Sequence, residues 1–136
     1  MEEYDKSKEW YGFDLDGTTF SYSGWVSHTH IGEPVQLMID KIKSYLEEGK
    51  TVKIFTARVA HDGTEKAIKE AKEAEAAIKA VCLKYLGQEL EVTCVKDKYC
   101  VEIWDDRAKQ VIPNTGINAV IHETSLEDRQ LNIYNW

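Results

Sequence analysis

Cysteine, basic charge and long apolar runs are all scarce in this 136-residue chain. The cysteines are Cys82, Cys94 and Cys100, an odd count with no CxxC spacing. That fits free, buried thiols in a reducing compartment. Seventeen Lys and Arg stand against twenty-four Asp and Glu, a net charge of −7. Such a surface does not suit broad adhesion to nucleic acid, where many phosphates must be neutralised. No apolar stretch approaches the ~20 residues of a membrane helix, and the charged start Met1-Glu2-Glu3-Tyr4-Asp5-Lys6 has no signal-peptide pattern. The expectation is a cytoplasmic protein without membrane contact. Repeats, low-complexity tracts and linkers are missing too, and the length suits one α/β domain with its own core.

What the chain does hold is acid at the ends of apolar runs. Trp10-Tyr11-Gly12-Phe13 is short and aromatic-rich, so it reads as a buried strand, and it runs into Asp14-Leu15-Asp16-Gly17-Thr18-Thr19. Gly17 supplies backbone freedom where the chain leaves the sheet. Both aspartates then sit at the strand's carboxyl edge, where open α/β sheets bind ligands. A DxD pair alone is also an ordinary turn composition. Two more segments repeat the placement. Thr51-Val52-Lys53-Ile54-Phe55 ends in Thr56-Ala57-Arg58, and Val101-Glu102-Ile103-Trp104 ends in Asp105-Asp106-Arg107, with Lys96 and Lys98 just upstream.

This ordered set, DxDGT, a strand ending in Thr, Lys, then a strand ending in DD, resembles the haloacid dehalogenase (HAD) superfamily of aspartate-nucleophile phosphotransferases. The resemblance spans about residues 10 to 122. The stretch from Val92-Thr93-Cys94-Val95-Lys96 to Asp105-Asp106 is also similar to the 5'(3')-deoxyribonucleotidases, with a shorter spacing here. The resemblance implies a single Rossmann-like α/β domain over residues 1–136 and a Mg²⁺-dependent phosphomonoester hydrolase working through an aspartyl-phosphate. It implies Asp14 as nucleophile and metal ligand. Asp16 would be general acid and base, giving its backbone carbonyl to the metal. Asp106 would be the third protein ligand, with Asp105 ligating through water or orienting the lysine. Thr56 and nearby backbone N–H groups, Ala57 among them, would hold phosphoryl oxygens, and Lys96, chosen over Lys98, would sit between nucleophile and transferring group.

The chemistry is coherent independently of the family. Close carboxylates repel one another and raise one pKa unless a cation intervenes, and a hard divalent ion with oxygen ligands also bridges to phosphate. Residues i and i+2 of a strand share a side, so Asp14 and Asp16 suit one substrate. Duller readings exist for each element. Asp105-Asp106 could cap a helix, Thr56 could be an N-cap, and Arg58 and Arg107 are read as supporting ion pairs. His28 and His30 lack a third ligand for zinc and are placed on a flap, about residues 20–33, over the site's mouth.

Between the strands, helical spacing runs from Glu33-Pro34 through Val35, Ile39, Ile42 and Leu46 to Gly49. It runs again from Asp62-Gly63-Thr64 through Ala71, Ala74, Ile78 and Cys82 to Gly87. Further strands are expected near Leu90–Val95 and Ala119–His122. Right-handed crossovers then predict a parallel sheet of about five strands in the order 3-2-1-4-5, bringing Asp14 and Asp16 beside Asp105 and Asp106. Only about six residues link the third strand to the fourth, so the third is expected to be short or displaced.

Neither inter-motif interval has room for a large cap domain. Capless members of the superfamily act on large substrates or oligomerise, so a homo-oligomer is one way to cover the site. The expected substrate is a small phosphorylated metabolite or nucleotide, with Trp25 available to stack on a base or sugar. A polynucleotide 3'-phosphatase and a non-catalytic phospho-ligand binder are the alternatives, and nucleic acid is not favoured. The tail, about 123–136, is uninformative.

Overall fold

The computed structural model describes residues 3–120. The chain divides into two compact units, residues 1–106 and 107–136. In the first, β1 (Trp10–Asp14), β2 (Val52–Phe55), β3 (Glu91–Thr93) and β4 (Cys100–Trp104) form one sheet in the order β3-β2-β1-β4, every pair parallel. Helix α1 (Gln36–Glu47) joins β1 to β2, and α2 (Glu65–Leu86) joins β2 to β3. This is the α/β architecture and the first four places of the expected strand order, with no large cap among the described residues.

Alternation decides which side chains enter the core. Tyr11 and Phe13 of β1 face the same way as their partners Val52 and Ile54 of β2. Ile39 and Ile42 of α1 and Ile78 and Cys82 of α2 bury into the cluster that Phe13, Val52, Ile54 and Val92 build. Phe13 is fully buried, stacked on Trp104 at 5.6 Å and edge-on to Tyr45 at 5.6 Å. Burying one such ring is worth about 2–3 kcal/mol. The helix boundaries follow the predicted punctuation. Thr64 caps α2 by accepting from Ala67 N, and Gly87, at φ 82°, ends it in the left-handed conformation.

The other side of β1 explains how so short a link reaches β4. Trp10 lies over Gly12, where a Cβ would stand 2.8 Å from the indole ring. Its Nε1 donates to Asp97 at 2.8 Å, and its backbone N donates to Tyr99 O at 2.9 Å. The six residues 94–99 therefore return to the amino edge of the sheet and are anchored there. The expectation of a short third strand is met, since β3 has three residues.

The second unit is described only as far as residue 120. It holds an antiparallel bridge between Val111 and Asn118, closed by a turn with Asn114 at φ 67° and Gly116 at φ 72°. The fifth strand expected at Ala119–His122 is not formed at residues 119 and 120. Its remainder, like the tail 123–136, lies outside the described residues. A correction concerns the thiols. All three are free, but only Cys82 is buried, while Cys94 is exposed and Cys100 intermediate. Cys94 lies in the surface link, and Cys100 lies on the edge strand β4, where it is only partly covered. Among the described residues no helix is long and apolar enough to cross a membrane.

Candidate active site

The register brings the two acidic motifs together. Phe13 pairs with Trp104, so the next residue on each parallel strand, Asp14 and Asp105, emerge side by side at the carboxyl edge. Asp14, Asp105 and Asp106 each offer a carboxylate oxygen, all within 4.8 Å of one another. The β1–β2 register ends at Asp14 and Phe55, which puts Thr56 at the same edge on the other flank.

Thr18 and Gly17 hold this cluster in shape. The Thr18 hydroxyl lies 3.2 Å from Asp14 Oδ2 and 3.3 Å from Asp106 Oδ1, and it accepts from the Asp106 backbone N at 3.0 Å. Gly17 has φ 83°, and a Cβ there would meet Asp106 Oδ2 at 2.6 Å. Glycine is thus needed both for the backbone conformation and for the close approach. Thr19, fully buried, donates its hydroxyl to the Asp14 carbonyl at 2.7 Å. The DGTT run therefore turns the chain so that hydroxyls and backbone together fix both acids.

Burial, then the charge of Asp105 and a hydrogen bond with Asp106, push the Asp14 carboxyl up from 3.8 to about 7, against a smaller opposing effect of the Thr18 hydroxyl. The three donors are all carboxylate oxygens, a hard set suited to Mg²⁺ and similar ions and unsuited to soft ones. A divalent cation placed among them would relieve the repulsion that raises Asp14.

Asp16 departs from this group. Its side chain turns away from the three carboxylates and forms a two-pronged ion pair with Arg58, Nε to Oδ2 and Nη2 to Oδ1, both 2.8 Å. Thr56 is buried, and its hydroxyl oxygen accepts from Arg58 N at 3.2 Å, capping the short 3-10 turn Ala57–Val59. Its own N–H donates to Thr93 O at 2.9 Å, so that group serves the sheet. Ala57 follows, exposed at the edge. Of the flap histidines, His28 lies 3.3 Å from Glu73 of α2 through Nε2.

Lys96 is not brought to the acids. Its neighbour Asp97 is tied to Trp10 and Cys100, the first residues of β1 and β4, and Lys96 itself is exposed and acts on Cys100. Lys96 lies in the short link that returns to the amino end before β4 begins. Sequence reasoning also undervalued Thr18 and Arg58. The available signals were the hydroxyl two residues after Asp16 and an arginine at the first turn beyond Thr56.

No family model, curated protein or solved structure matches this chain.

Proposed function

We propose that the protein is a Mg²⁺-dependent phosphomonoester hydrolase that works through an aspartyl-phosphate on a small phosphorylated metabolite or nucleotide. The observation that carries this reading is the convergence of Asp14, Asp105 and Asp106 within 4.8 Å, with Asp14 poised near neutrality. Asp14, Asp106 and Asp105 would hold the cation, helped by the Asp16 carbonyl. When bound, it supplies positive charge that keeps Asp14 ionised and offsets the charge of the phosphoryl oxygens.

The residues perform the remaining work. A carboxylate oxygen of Asp14 attacks phosphorus, and the bond from phosphorus to the ester oxygen breaks. Asp16, held as a carboxylate by Arg58 at rest, would take a proton from solvent as substrate enters and give it to the leaving alcohol oxygen. Asp16, now a carboxylate, takes a proton from water as that water attacks the aspartyl-phosphate, which restores Asp14 and releases phosphate. Thr56 accepts from Arg58 N but can still turn its hydroxyl hydrogen toward a phosphoryl oxygen. The Ala57 N–H is a second donor beside it. Thr18 keeps Asp14 aimed.

The test is hydrolysis of p-nitrophenyl phosphate with Mg²⁺ and with chelator. Turnover should require the cation and vanish in Asp14→Asn while the fold survives. Full activity of that variant would remove Asp14 as nucleophile, and stoichiometric retention of phosphorylated ligand without turnover would make the protein a binder.

A further inference from the structure

The segment 21–33 contains no helix or strand, yet it is fastened at two levels. At its base Phe20 bridges Pro34, Ser21 N donates to Glu33 O at 2.7 Å, and Glu33 N donates back to Ser21 Oγ at 3.1 Å. Gly32 is pinched there, since a Cβ would meet Ser21 O at 2.1 Å. Higher up, the fastening is Arg58. Its Nη1 donates to Ser27 O at 3.3 Å and His28 O at 3.2 Å. Its guanidinium carbon lies 5.1 Å from the centroid of the Trp25 ring. The other edge of the same guanidinium grips both oxygens of Asp16, and the side chain is only 6% exposed.

One planar cation therefore joins three parts of the molecule: the residue after next from Asp14, the middle of the flap, and the flap's exposed tryptophan. Only a guanidinium has donors on two edges in a fixed plane; a lysine ammonium at this place would have to choose. The fork uses one lone pair on each Asp16 oxygen and leaves another on each, so it fixes the plane of the carboxyl without exhausting its capacity to exchange a proton.

We propose that Arg58 is the positioning residue of this site: it sets the orientation of the Asp16 carboxyl and ties that orientation to the position of the flap, so that the two move as one. The inference rests on the reading of Asp16 as the proton-transfer group, but its coupling claim can be examined without catalysis. A substrate entering under the flap shifts Ser27 and His28, and through Arg58 that shift re-aims Asp16. The ion pair is thereby more than a surface contact holding a loop.

Two measurements test this. First, kcat is compared for p-nitrophenyl phosphate, whose leaving group needs no proton, and for an alkyl phosphate such as glycerol phosphate, whose leaving group does. A general acid contributes about 10²–10⁴-fold, so a misaimed one in Arg58→Lys should cost the alkyl ester at least about tenfold while the aryl ester falls little. Millimolar guanidinium should restore part of the alkyl-ester loss in Arg58→Ala. An equal loss on both esters, or no rescue, would overturn the proposal. Second, the His30 amide, bonded to Ser27 O at 3.2 Å, reports the flap by hydrogen exchange. Asp16→Asn and Arg58→Lys should both raise its exchange rate by similar factors of about ten or more, corresponding to ~1.4 kcal/mol of lost tethering. A flap unchanged in Asp16→Asn would overturn the coupling. If the wild-type protein hydrolyses no monoester, the hydrolase reading falls, while the exchange result still decides whether Arg58 couples Asp16 to the flap.

Discussion

Replacing Asp14 by Asn is predicted to make the cation-free protein more stable at pH 8 while abolishing turnover. Unfolded, this aspartate titrates at the ordinary 3.8; folded, it titrates near 7 because of burial and the Asp105 and Asp106 carboxylates. Between those pH values the native state binds the extra proton. The stabilising contribution is therefore fully present below about pH 4 and lost as pH rises through 7. Taken whole, a displacement of that size would amount to a ceiling of about 4 kcal/mol. Asp14 remains partly solvated, so water screens much of this and about 1–2 kcal/mol is the realistic penalty at pH 8. An asparagine has the same shape, carries no charge and can donate its amide to Asp106. The gain should appear as a melting temperature higher by about 3–10 °C for a chain of this length. Melting curves of both proteins in chelator at pH 5 and pH 8 decide it. The Asn variant should lead at pH 8 and lose most of that lead at pH 5, where the native carboxyl is already protonated. Equal melting at pH 8, or a less stable variant, would refute the claim that the three carboxylates repel one another at this edge.

Other consequences follow from particular contacts. Gly17→Ala must accept a left-handed backbone, costing about 1–2 kcal/mol, and its methyl would displace Asp106, so both the melting temperature and Mg²⁺ affinity should fall; an unchanged affinity would separate Gly17 from the cluster. Phe13→Ala removes the ring stacked between Trp104 and Tyr45 and should cost about 3–5 kcal/mol in urea unfolding. With a surface of net charge −7, hydrolysis of mononucleotides should change little between 50 and 200 mM salt, whereas backbone binding of a 3'-phosphorylated oligonucleotide would weaken by about 10³-fold or more if six or more phosphates were contacted. A steep salt dependence with the oligonucleotide as preferred substrate would shift the reading to a polynucleotide 3'-phosphatase.

Much of the fold was legible because local signals agreed with one another. Apolar runs ending in Asp14, Thr56 and Asp105 gave the carboxyl edge, and Thr64, Gly49 and Gly87 marked helix boundaries where the chain does turn. Strand order followed from right-handed crossovers. The path of the link that carries Lys96 was not legible, because it depends on a non-local event. Asp97 and Tyr99 bind Trp10 at the opposite edge of the sheet, a pairing across 87 residues for Asp97 that no spacing rule announces. Arg58 was read as an ion-pairing residue, which it is; what periodicity could not convey is that one guanidinium reaches both Asp16 and the flap carbonyls. The buried state of the cysteines failed for a related reason, since burial of Cys94 and Cys100 depends on which element covers an outer strand or a surface link.

The most direct test of the central claim is calorimetric titration of Mg²⁺ into the protein at pH 8, with Asp14→Asn and Asp106→Asn alongside. One cation per chain is predicted, with affinity lost or reduced at least tenfold in each variant and with proton release diminishing as pH rises above 7. Absence of binding, or binding that neither substitution alters, would contradict the gathering of these aspartates about a common ion.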